Sequence, residues 1–340
     1  MLLIFTVLAL GEAWATWNAE AAKCYVLNSD PDVIIRSCTF AIDSGQLAEQ
    51  QVANALNNRG DAYARKEDYD RAIQDFNQAI RLVPNYVRAY YNRGNVHQRK
   101  GDFDSAIADY GQAIRLDPKF GDAFNNRGAA YQHMGDNDRA IAAYSQAIRL
   151  NPNYATAFYN RGNAHRQNGD YVQAIQDFDQ AIRLNPNYAT AFYNRGIALF
   201  YQGEFAAAKP DLSKAVQLRP SDLYYILWLY LAQARSGSDN ARADLASAAA
   251  GLNLEKWPGP IVSMHLGRVT SKAALEAASD SGAKGQREKH CEAYFHFGQY
   301  LLMQEHSNEA MEMFRAAIAT GALNSYEYDG AKAELRRLGN

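Results

Sequence analysis

Side chains able to do covalent or metal chemistry are few in this 340-residue chain, which holds seven His and three Cys. His290, His296 and His306 lie close in sequence, but no His-Glu-x-x-His, Cys-pair or carboxylate spacing completes a zinc site. His97 and His165 occupy a position where related segments carry Tyr63, Tyr131 and Leu199, so they read as core substitutes. No phosphate-cradling loop, dinucleotide glycine motif or G-x-S-x-G nucleophile elbow is present. The reading therefore predicts no catalytic residue, no metal and no cofactor. Cys24 and Cys38 are close enough in sequence to form a disulfide in an oxidising compartment, with two buried free thiols as the alternative. Cys291 is left without a partner and reads as a structural thiol. What remains for chemistry is recognition, through amides and phenols that recur at fixed spacing.

That spacing comes from a repeat. The tripeptide Asn-Arg-Gly occurs at residues 58–60, 92–94, 126–128, 160–162 and 194–196, each 34 residues after the last. Five units result, 53–86, 87–120, 121–154, 155–188 and 189–222, and a period of 34 is that of stacked helix–turn–helix pairs. Within a unit the eighth residue is Gly and the twentieth Ala, small enough for two helices to approach closely. Large apolar residues at the fourth position (Leu56, Tyr90, Phe124, Phe158, Phe192) and the twenty-fourth (Phe76, Tyr110, Tyr144, Phe178, Leu212) are expected in the core. Gly101, Gly135, Gly169 and Gly203 end the first helix in a left-handed conformation, which puts strain on Glu67 at the same place in the first unit. Asp68, Asp102, Asp136 and Asp170 follow as N-caps, and a Pro closes each unit.

These residues resemble the tetratricopeptide repeat (TPR) family. The resemblance implies an all-α, right-handed superhelical solenoid whose first helices line a concave, peptide-binding groove. Carried onto this chain, the groove positions are Asn57, Tyr91, Asn92, Asn95, Asn126, Tyr159, Asn160, Asn163, Tyr193 and Asn194. Amides can donate to and accept from an extended backbone, and Tyr adds rigid contact area with a polar tip. The competing reading is that the Asn row bonds to a neighbouring repeat. A carboxylate clamp of the chaperone type is not expected, because its Lys positions hold Asn57, Asp61 and Asp122. Arg at the seventh position recurs with Asp at the twenty-third, Ala143 excepted, which reads as structural ion pairs. The five units hold 21 basic and 18 acidic residues, too mild a surplus for nucleic acid.

Flanking segments extend the pattern. Residues 1–21 combine an apolar run of signal-peptide length with two A-x-A sites, and a buried N-terminal helix is the alternative. The run is too short to span a membrane. Residues 22–52 read as a half-repeat cap, and 223–338 as a degenerate TPR-like region with a capping helix from Ser325. Within that region Gly237 takes a turn position, a unit starting at Cys291 recovers the phase, and the polar stretch 279–289 reads as a mobile loop. Trp228-Leu229-Tyr230-Leu231-Ala232, Trp257, Leu266-Gly267, Tyr294-Phe295, Gly298, Glu327 and Ala331 resemble the NlpI-type TPR lipoproteins of the bacterial envelope. That resemblance implies a periplasmic or secreted adaptor, often dimeric, docking envelope proteases or peptidoglycan hydrolases. Lys23 departs from it, because a lipid-bearing Cys24 would need a small or aliphatic residue before it. The competing expectations are a self-associating homodimer without a peptide client and a cytoplasmic TPR scaffold.

Overall fold

The computed structural model describes residues 19–26, 29–279, 285–323 and 325–339. The leader assigned to 1–21 falls almost wholly outside them. Every regular element among the described residues is an α-helix. The chain divides into two compact units, Met1–Pro152 and Asn153–Asn340.

In the first unit α1 (Pro31–Asp43) precedes three helix pairs, α2/α3 (Glu49–Arg65, Tyr69–Leu82), α4/α5 (Val87–Arg99, Phe103–Leu116) and α6/α7 (Gly121–His133, Asn137–Leu150). A helical turn at residues 19–23 is tied to α1 by the disulfide Cys24–Cys38, with Cα atoms 4.7 Å apart. Both cysteines share a small core with Ile34, Ala55 and Ala62.

The second unit holds α8/α9 (Ala155–Asn168, Tyr171–Leu184) and α10/α11 (Ala189–Gln202, Phe205–Leu218). Then come α12 (Leu223–Arg235), α13 (Ala241–Ala248), α14 (Gly259–His265) and α15 (Ser271–Ser279). The pair α16/α17 (Gln286–Leu302, Ser307–Ala319) and the last helix α18 (Tyr326–Arg337) complete it. Of the expected loop 279–289, residues 280–284 lie outside the described residues, and α16 already begins at Gln286. Among the described residues no helix is long and apolar enough to cross a membrane.

Alanine builds the core of each pair. The third, twentieth and twenty-seventh positions are Ala in every unit and fully buried, as at Ala157, Ala174 and Ala181. Only the twenty-fourth position carries a large, fully buried side chain throughout. At the fourth position Leu56 is buried, whereas Tyr90, Phe124, Phe158 and Phe192 are half-buried. An Arg guanidinium, and not an apolar side chain, lies over each of those rings, 5.3–5.7 Å from the centroid. The left-handed turns hold Gly101, Gly135, Gly169, Gly203 and Gly237, and Glu67 takes the same conformation at φ 62°. Asp68, Asp102 and Asp136 accept from the backbone N–H three residues on, but Asp170 makes no such cap bond.

Candidate functional site

Two side-chain ladders run along the repeats. The first joins helices within a pair: Arg59 grips Asp75 through two nitrogens at 2.8 Å, Arg161 grips Asp177 at 2.8 and 2.7 Å, and Arg93–Asp109 and Arg195–Asp211 repeat the contact. The four carboxylates are only 4–6% exposed, so these Arg are structural. Ala143 breaks the ladder and leaves Arg127 Nε buried with no hydrogen-bond partner.

The second ladder joins first helices of successive pairs. Asn92 Nδ2 donates to Asn57 Oδ1 (3.0 Å), and Asn126 Nδ2 donates to Tyr91 Oη and Asn95 Oδ1 (3.0 Å each). Asn194 Nδ2 donates to Tyr159 Oη (3.1 Å) and Asn163 Oδ1 (2.7 Å). Asn160 is half-buried in the same row. Amides expected to meet a peptide backbone thus hold one repeat to the next, with spacings of 31 and 35 residues. Asn57, 5% exposed, is closed to a ligand for that reason.

Open surface survives beside the ladder in the first unit. A cavity of about 400 Å³ is lined by Asn95, Gln98, Arg99, Phe103, Tyr110 and Asn126. Tyr91 packs at 4.7 Å on Phe120 and at 5.9 Å on Tyr110, and Phe103 stacks on His133 at 4.9 Å. Polar rims over fixed aromatic walls suit a polypeptide segment better than a phosphate or a metal.

In the second unit the same face is covered by α18. Asp329 accepts from Arg166 Nη1 at 2.8 Å, both buried, and the Tyr326 ring lies 4.5 Å from the Arg166 guanidinium. Tyr326 also meets Tyr193 edge-on at 5.6 Å, while Tyr193 stacks on Tyr225 at 4.3 Å. Arg337 donates to the carbonyls of Phe200 and Tyr201. Gly330 fits because a Cβ there would lie 2.7 Å from Phe295. Asn194 (fully buried) is therefore a core residue here and Tyr193 (5% exposed) is turned from the first-helix groove into the wall of a separate cavity, a correction to the groove expected from the repeats. One signal was available: Arg166 stands where the other units carry Ala64, Gln98, Gln132 and Phe200.

Histidines and the free thiol serve packing. His265 Nε2 meets His296 Nδ1 at 3.2 Å inside the second unit, and burial pushes His265 down to about 3. His290 bonds Gln286 and Ser279 and gives Cys291 no base, while burial pushes that thiol up to about 12. Among the described residues no three His, Cys, Asp or Glu converge as metal ligands.

Family models described as TPR or tetratricopeptide repeat match residues 60–101, 87–120, 110–142, 130–189 and 189–222. Residues 60–222 are tetratricopeptide repeats. The chain is similar to the lipoprotein NlpI homolog of Haemophilus influenzae, 31% identical over 119 residues, or 34% of this chain. The match spans 38% of that protein's length. Among solved structures, a tetratricopeptide repeat protein from Parabacteroides merdae shares the fold at 19% identity and TM-score 0.54, covering 83% of this chain and 98% of its own. Pseudomonas aeruginosa PilF does so at 19% identity and TM-score 0.51, over 60% and 94%.

Proposed function

We propose that this TPR protein is a non-catalytic adaptor of the bacterial cell envelope that holds extended polypeptide segments against its first helices. The observation that carries the reading is the 400 Å³ cavity beside Tyr91 and Asn126. It presents aromatic walls with amide, guanidinium and phenol groups, a set that engages backbone and side chains together. In the second unit Tyr159, Asn160 and Asn163 are the half-buried counterparts, beside the face that α18 covers. The Cys24–Cys38 bridge and the partial similarity to a lipoprotein NlpI homolog support an envelope location. Envelope proteases or peptidoglycan hydrolases are the clients that this reading puts first.

Capture from an envelope extract tests it, comparing the wild type with Tyr91→Ala and Asn95→Ala/Gln98→Ala and monitoring helicity at 222 nm. Client recovery should fall at least fivefold in each variant at unchanged helicity. Recovery of every partner at wild-type level would remove the first-unit face from the proposal.

A further inference from the structure

A second cavity, of about 380 Å³, opens in the second unit where α10, α12, α16 and α18 meet. Its aromatic wall is made by Tyr193, Tyr224, Tyr225 and Tyr326. Its acids are Asp222, Glu288, Glu292 and Glu327, one or two from each of three different segments. Among the described residues none of these four carboxylates forms an ion pair, while the nearby Arg166 is committed to Asp329. Glu292 Oε2 accepts from Trp257 Nε1 (2.6 Å) and Tyr224 Oη (3.2 Å), which leaves its second oxygen uncommitted. Glu327, 3% exposed, accepts from Ser325 Oγ at 2.6 Å, and the Trp228 side chain also serves it.

An independent feature points to a missing donor. Tyr225 lines the cavity, is 4% exposed, and its hydroxyl has no hydrogen-bond partner. Buried hydroxyls are nearly always satisfied, so an orphan on a cavity wall marks a place where a ligand group completes the bonding. Buried carboxylates without a cation are costly in the same sense. A metal ion is a poor fit, since no three ligating side chains converge among the described residues. Aromatic faces favour an organic cation, and uncommitted oxygens favour one that carries N–H donors.

We propose that this cavity binds a basic side chain, a lysine ammonium or arginine guanidinium, presented by a partner polypeptide. The apolar stem lies along Tyr193 and Tyr225, and the charged head meets Glu292, Glu327 and the Tyr225 hydroxyl. The proposal does not rest on the first-unit face and stands or falls separately from it. Electrostatics agree. Burial, with Glu327 nearby, pushes Glu292 up to about 8, and Glu327 is raised by burial as well. Lys289, 5.9 Å from the Trp257 ring, opposes this only in part. An arriving cation restores the charged carboxylate and expels a proton.

Titration calorimetry of the full chain with Nα-acetyl-lysine amide, Nα-acetyl-arginine amide and the neutral Nα-acetyl-norleucine amide is the test. At least one cationic probe should bind saturably and at least tenfold more tightly than the neutral one. Affinity should rise several-fold from pH 7 to pH 8.5, and the apparent enthalpy at pH 7 should follow the buffer's ionisation enthalpy. Glu292→Gln, isosteric and still able to accept from Trp257, should lose tenfold, and Tyr225→Phe a few-fold, with unchanged circular dichroism. Equal binding of the neutral probe, no saturation by either cationic probe, or full affinity in a folded Glu292→Gln protein would overturn the assignment.

Discussion

Arg127 lacks the carboxylate that its four counterparts share: Ala143 replaces the aspartate that each of the others grips. Ala143→Asp should therefore stabilise the protein by about 0.5–1.5 kcal/mol, the net worth of a satisfied hydrogen-bonding site. A higher urea midpoint is the check, and an unchanged midpoint would mean that Arg127 is already served by its ring contact. The buried His265–His296 pair sets a second residue-scale outcome. His265 is held near 3 in the folded chain against an ordinary 6.5, so the native state binds fewer protons than the unfolded chain between those values. Its stabilising contribution is full above pH 6.5 and is lost progressively as the pH falls toward 3. Urea midpoints between pH 8 and pH 5 should fall less steeply in His265→Gln than in the wild type. Only the first of these features was visible in the sequence. The missing aspartate breaks a strict spacing, whereas the histidine pair joins residues 31 apart in a region with no clean repeat.

At the scale of helices, the glycines divide into two kinds that composition cannot separate. Gly162 faces Phe178 so closely that a Cβ would sit 2.8 Å from the ring and 3.2 Å from the Ala174 carbonyl. Gly111, mid-helix in α5, has nothing nearer than 3.9 Å. Gly162→Ala should cost about 1–3 kcal/mol through overpacking. Gly111→Ala should instead stabilise by about 0.5–1 kcal/mol, because it only removes unfolded-state freedom. Thermal melts of the two variants should move in opposite directions, and parallel shifts would refute the distinction. The helical pairs, their turns and their small–large contacts were legible because each is a local requirement that recurs every 34 residues. The fourth-position aromatics misled for a related reason. Periodicity identifies a conserved environment within the repeat, but it does not say that an Arg guanidinium, and not another apolar side chain, covers Tyr90, Phe124, Phe158 and Phe192.

Within the second unit as a whole, α18 decides what the repeat surface can offer. Arg166 and Asp329 are 163 residues apart and both buried. Asp329→Ala would leave the guanidinium buried without its carboxylate and should cost about 3–5 kcal/mol. A chemical-denaturation loss below about 1 kcal/mol would show that α18 is held by its apolar contacts alone. The sequence by itself determined the helix–turn–helix repeat, the Arg–Asp pairs and the residue types on the first helices, since each depends on neighbours at a fixed offset. Only the tertiary structure decided which of those residues a partner can reach. The Asn row turns toward the preceding repeat, and Tyr193 and Asn194 lie beneath a helix more than 100 residues downstream. Such a contact carries no period, because it depends on shape and charge matching between segments that are not copies of one another.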